Sequence, residues 1–282
     1  MEGKKMNDLV PAILTMAAPL LFATLGALVS EYAGVLAVFM DGAITLAAFV
    51  CIAVTSATGS PLAGFFAATG VTVFLLYLIA RFSEATGANP FITGLSVNLL
   101  ANGLTSWLSS VLFGTRGVIA LSSSVTLTAF PRGTAAIAAF AVTLVLAFVL
   151  KFTRFGLNLR ITGSDPDVLA SRGIPAARYR ILSWCIAAFF AACAGTELAL
   201  SLGAWVPNIS AGRGWTALAA VYLGYKNPLL CMIAVLLFAA AEYSTNMIQG
   251  TGYLPATAVL GIPYILALLA FILIPVLKKR KI

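Results

Sequence analysis

Four carboxylates lie in or beside long apolar runs: Glu31, Asp41, Glu197 and Glu242. An ionised carboxylate in hydrocarbon costs roughly 2.5–3.5 kcal/mol on insertion scales, so each must face protein or water and is able to hold a proton part of the time. Two uses fit such groups: lining a polar pathway, or fastening one helix to another near a membrane surface. Asp41 and Glu242 are the stronger pathway candidates, Asp41 because Gly34 and Gly42 interrupt the apolar run around it. Asn98 and Asn102 are four apart and share a helical face, where amides bond either a neighbouring helix or a polar ligand. Trp215 next to Thr216 offers a ring for stacking on a flat solute, or an anchor at the membrane boundary. Gly212-Arg213-Gly214 reads as a turn with close backbone approach rather than a phosphate cradle.

Other chemistry is excluded by what the chain lacks. It has no histidine, and its four cysteines are scattered singly through apolar segments, so neither a zinc site nor a disulfide framework is supported. No G-x-x-x-x-G-K-[ST] phosphate loop occurs, and no set of acidic, cysteine and histidine residues gathers into a catalytic group. A membrane-embedded enzyme is therefore disfavoured. The net charge of +8 falls at segment ends, where topology explains it better than nucleic acid does.

The elements that must position these residues are membrane helices. The 282 residues are 61% hydrophobic and 9% charged, which no water-soluble domain sustains. Apolar blocks fall at about 9–30, 34–58, 61–82, 91–113, 135–153, 180–203, 214–224, 229–249 and 254–277, most near the length that crosses a bilayer. The expected fold is all-α: one polytopic transmembrane domain over 1–282, a bundle of about 9–10 spans that includes broken or re-entrant helices. The block at 214–224 is too short to cross except as a short or broken helix, and Tyr225 to Pro228 makes a tight inner turn. Ser122 to Ser124 and Pro131 to Gly133 read as an outer loop. With Lys4-Lys5 in the cytoplasm, the count of crossings before Lys151 is one short, and a re-entrant half-span within 31–58 would supply it. Residues 33–42 and 211–220 echo each other faintly, each opening a discontinuous helix, a pattern that points to a solute pathway in repeat-built transporters.

Six of the seventeen basic side chains lie between Lys151 and Arg180. Within that stretch Ser164, Asp165 and Asp167 can cap a short amphipathic helix, Val168, Leu169 and Ala170 give it a small apolar face, and Gly173 ends it before Ile174. This looks like a handle for a cytoplasmic partner.

Thr153 to Gly163, followed by Ala170 to Ile174, resembles the signature loop of the branched-chain-amino-acid and sugar type of ABC importer permease. Three more stretches are similar to that family: Pro19 to Phe49, Asn89 to Asn98 and Gly212 to Ala219. Ser30-Glu31, Asp41-Gly42 and the Ile92 to Asn98 run resemble the sub-branch serving nucleoside importers. One departure is Ala37-Val38-Phe39-Met40-Asp41, where relatives carry an asparagine-rich or glutamate-containing run.

The resemblance implies a type II-like fold of about ten helices and a noncatalytic permease subunit. Its implied partners are a cytoplasmic ABC ATPase that holds the ATP and magnesium, a second permease of a different chain, and an extracytoplasmic binding protein, with no cofactor in this chain. Coupling would run through a loop at about 154–179, with Asp165, Asp167, Val168, Leu169, Ala170, Gly173 and Ile174 meeting the ATPase. Asp41, Asn98, Asn102, Trp215, Thr216 and Glu242 would line the pathway. The expected cargo is a nucleoside or similar ribose-bearing or heteroaromatic solute, with riboflavin or a free sugar as alternatives. A proton-coupled carrier using Asp41 and Glu242 is the rival class. The expected setting is the bacterial inner membrane, multi-pass, with both termini cytoplasmic.

Overall fold

The computed structural model describes residues 2–121 and 133–249. Ten helices and one two-residue strand pair follow in order: α1 (Glu2–Tyr32), α2 (Met40–Thr58), α3 (Pro61–Thr86), α4 (Pro90–Phe113), β1 (Ile119–Ala120), α5 (Thr134–Phe152), α6 (Arg154–Ser164), α7 (Pro166–Ser171), α8 (Ala176–Leu202), β2 (Ala204–Trp205), α9 (Arg213–Leu223) and α10 (Pro228–Gln249). Their starts follow local chemistry. Ser60 and Asn89 each accept a backbone N–H of the next helix, with proline in its first turn, where a missing donor is harmless.

Six of these helices are long and apolar enough to cross a membrane: α1 from Val10, α2, α3, α5, α8, and α10 to Met247. Helix α4 matches them in length with 24 residues, yet Thr93, Ser96, Asn98, Asn102 and Thr105 make it more polar. The all-α, polytopic expectation is met. The block at 254–277, the basic run that follows it and most of the expected outer loop lie outside the described residues.

Helices α1, α2 and α8 form the centre. Residues 17–31 of α1 are buried on every side, and α2 and α8 pack against each other and against α3. Small residues permit this closeness: a Cβ on Gly195 of α8 would overlap the Ile44 carbonyl of α2. The Phe39 ring stacks on Trp184, centroids 4.1 Å apart. Around the centre, α3, α4 and α5 turn Phe66, Phe74, Leu99 and Ile137 outward, side chains as much at home in lipid as in protein.

Two sets of contacts fix the ends of the bundle. At one end β1 pairs with β2 antiparallel, Ile119 opposite Trp205. At the other, Arg180 near the start of α8 meets Glu84 near the end of α3 at 3.5 Å, and the backbone at Gly34 touches Gly163 of α6. The carboxyl end of α1 is therefore on the face of the handle formed by α6 and α7. The 23 residues from Val10 to Tyr32 run about 35 Å, a full bilayer core, so the start of α1 lies on the opposite face. Residues 31–58 hold no re-entrant half-span: α2 is continuous from Met40 to Thr58, and the interruption is a linker at 33–39 between two helices.

Candidate pathway junction and coupling surface

Helices α2 and α9 both start inside the protein, and their amino ends meet. Neither has a side-chain cap of its own, since Phe39 and Gly212 hold the capping positions. The free backbone groups find partners on other elements instead. Asp41 Oδ1 accepts the Gly214 N–H at 3.2 Å, so a carboxylate from α2 closes the start of α9. Asn98 Oδ1 accepts the Gly42 N–H at 2.7 Å, while its Nδ2 donates to the Val38 carbonyl at 2.8 Å. A negative group is favoured where two helix amino ends face each other, because both present positive partial charge.

The glycines here answer to space. A Cβ on Gly214 would overlap the Asp41 amide nitrogen and sit 2.8 Å from its Cα; one on Gly42 would sit 2.7 Å from Asn98 Cα. Thr45 Oγ1 donates to Ser210 Oγ at 3.1 Å beside this junction, and Arg213 pairs with Glu242 of α10 at 2.6 Å. A half-buried pair this close is charge-assisted on both sides, which holds α10 to the start of α9.

The structure thus gathers Asp41, Asn98 and, through Arg213, Glu242 around one helix break. Thr216 also sits there, but its hydroxyl donates to the Gly212 carbonyl at 3.1 Å. Asn98 is buried and both ends of its amide are used on backbone, Gly42 in the first turn of α2 and Val38 in the linker before it, which is the helix-fastening role of the two open to it. Asn102, one turn further, is exposed, as is Trp215. Thr45, Ser210 and Arg213 are the members that sequence reasoning passes over. For Arg213 the signal is present in Glu242, since an arginine beside a helix break and a lone intramembrane carboxylate call for each other. Glu197 borders a cavity of about 460 Å³ with Phe22, Phe65 and Phe190.

The handle is two helices rather than one. Thr153 accepts the Gly156 N–H and starts α6, whose residues 154–163 read in sequence as a loop. Asn158 Nδ2 donates to Tyr179 OH at 2.8 Å, tying α6 to α8. Asp165 Oδ1 accepts the Asp167 N–H and caps α7, whereas Ser164 turns back to the Ile161 carbonyl. Leu169 is 0% exposed and Val168 38%, so the small apolar face expected of Val168, Leu169 and Ala170 is divided: Leu169 packs inward, while Val168 and Ala170 are exposed. Gly173 takes φ 70°, the left-handed turn that lets Ile174 N–H reach the Leu169 carbonyl at 3.0 Å.

Comparison with known proteins identifies the family. The family described as branched-chain amino acid transport system / permease component matches residues 9–277. The chain is 31% identical to the Haloferax volcanii protein named "Putative glucose ABC transporter permease protein TsgC13", over 82% of this chain and 74% of that one. It is 25% identical to the guanosine ABC transporter permease protein of Bacillus subtilis, over 94% of this chain and 91% of that one. It is also 25% identical to the nucleoside ABC transporter permease protein of Lactococcus lactis, over 95% and 92%. No solved structure matches.

Proposed function

Because the chain belongs to the branched-chain amino acid transport system permease family, we propose that it is one half of the membrane pathway of an ATP-driven importer for a nucleoside or a free sugar. A cytoplasmic ATPase grips α6 and α7, a second permease completes the pathway, and a binding protein delivers cargo to the other face. The chain itself does no hydrolysis. In this orientation the 154–179 segment faces the cytoplasm and α1 begins outside.

The observation that carries this reading is the meeting of α2 and α9. Two helices that stop within the bundle leave backbone groups and a carboxylate at mid-depth, which a membrane protein tolerates only against protein or a water-filled path. The sparse charge there suits an uncharged, hydroxyl-bearing solute, since the carboxylates of Asp41 and Glu242 already have partners. Closure of the ATPases shifts the balance between two arrangements of the bundle by contacting one of them better. The same partners count against a proton-coupled carrier, for which Glu242 would need to be free of Arg213.

Co-reconstitution of this chain with its ATPase, second permease and binding protein tests the proposal. ATP-dependent uptake of guanosine or glucose is expected, abolished by an ATPase-site mutation. Uptake of amino acids alone refutes the cargo; uptake that survives the ATPase mutation and collapses with the proton gradient refutes the class.

A further inference from the structure

At the handle face a second polar cluster joins elements far apart in sequence. Glu31, 6% exposed, accepts the Tyr222 hydroxyl at 2.9 Å and meets Lys226 Nζ at 3.2 Å, both on Oε2. Its other oxygen, Oε1, is buried with no partner. Next to it the Tyr32 hydroxyl donates to the Lys226 carbonyl, and the Arg160 guanidinium of α6 covers the Tyr32 ring at 5.0 Å. A Cβ on Gly163 of α6 would overlap the Tyr32 carbonyl and lie 2.7 Å from Gly34 N, so handle and α1 end touch backbone to backbone. The turn that carries Lys226 is held in the left-handed region at Tyr225 and Lys226, φ 50° and 56°.

What this cluster fastens is the inner end of α9. The outer end of the same helix is the Gly214 amide on Asp41. With 11 residues, α9 is a rod of about 16 Å, too short to bend, pinned to the handle contact at one end and to the pathway junction at the other. We propose that Glu31 is a positioning residue for transport: by binding Tyr222 and Lys226 it locks α9 to the end of α1 that abuts the handle, so that α9 carries handle movement to the Asp41–Gly214 junction. The half-satisfied carboxylate fits a part that changes partners, because a buried oxygen left unpaired is costly and is relieved in an alternative arrangement.

This inference rests on the importer reading, and the test separates the two. In proteoliposomes holding the whole transporter and loaded binding protein, cargo taken up and ATP hydrolysed are measured together for wild type, Glu31→Gln, Lys226→Met, Lys226→Arg and Glu31→Gln/Lys226→Met. Glu31→Gln keeps an acceptor for Tyr222 and loses the charge. The Lys226 side chain is 42% exposed, so Lys226→Met opens no cavity, and the double variant removes the charge that Lys226→Met alone leaves buried and unpaired. Hydrolysis and assembly are expected to stay within about twofold, while uptake per ATP falls at least about fivefold in both singles, the low end of ordinary coupling energies. The double variant should be no worse than either single, and Lys226→Arg should restore the ratio. Unchanged uptake per ATP, or uptake and hydrolysis that fall together with complex yield, overturns the proposal alone. A wild-type complex without ATP-driven uptake overturns the importer reading and this proposal with it.

Discussion

Replacing Asn98 with alanine takes away the acceptor of the Gly42 N–H and the donor to the Val38 carbonyl in one step. One group lies in the first turn of α2, which has no capping side chain of its own, the other in the linker just before it, and Asn98 is only 8% exposed. Each group left buried and unpaired costs about 1–3 kcal/mol, so the change should cost about 2–6 kcal/mol, and toward the lower figure where water enters the space. For a chain of this size that is a drop in melting temperature on the order of 10 °C. Asn98→Asp is a sharper probe, because it retains the acceptor for Gly42 but turns an oxygen toward the Val38 carbonyl; it should be no more stable than Asn98→Ala. Asn102→Ala, one turn away and exposed, is the control and should move stability by less than about 0.5 kcal/mol. Thermal unfolding of the purified transporter in detergent, followed by loss of the monodisperse chromatographic peak, reads all three. Equal melting of Asn98→Ala and wild type would falsify the idea that this amide holds the break together, and so would an equal effect at Asn102.

Gly214→Ala should separate the two helix starts, since its Cβ lands on Asp41 backbone; a cost of about 1–3 kcal/mol and a loss of uptake are expected, against no loss for Gly70→Ala in α3, where a Cβ meets open space. Wild-type uptake by Gly214→Ala would show that the junction is looser than drawn. In the handle, Val168→Asp should leave melting unchanged and weaken association with the ATPase in a pull-down, whereas Leu169→Asp should lower stability by more than about 2 kcal/mol by burying a charge. The reverse pattern would mean that α7 is docked the other way round.

Much of this arrangement is legible from the sequence because the membrane makes the rules few. Runs of apolar residues give the spans, and glycines among them give the breaks at 33–39 and before Arg213. Asp165-Pro166 at the start of α7 is legible for the same reason, a capping side chain before a proline being a local signal. Reading fails where partners lie far apart along the chain. Glu31 shows only as one intramembrane carboxylate among four, and nothing local says that Tyr222 and Lys226 come to it. Asn98 and Asn102 look equivalent by spacing, yet the edge of the α2 contact runs between them. That the carboxyl end of α1 lies against the handle is likewise recognisable only through the backbone contact of Tyr32 and Gly34 with Gly163.

The small β1–β2 ladder gains its meaning from where it sits. It joins the chain leaving α4 to the chain leaving α8, Leu121 N–H adds a bond to the Gly203 carbonyl at 2.9 Å, and Trp205 is buried edge-on against Phe49 of α2 at 5.2 Å. Three helices are thereby clamped together at the end farthest from the handle. The two chain segments and α2 therefore share one contact at that end, and a change at Trp205 reaches all three.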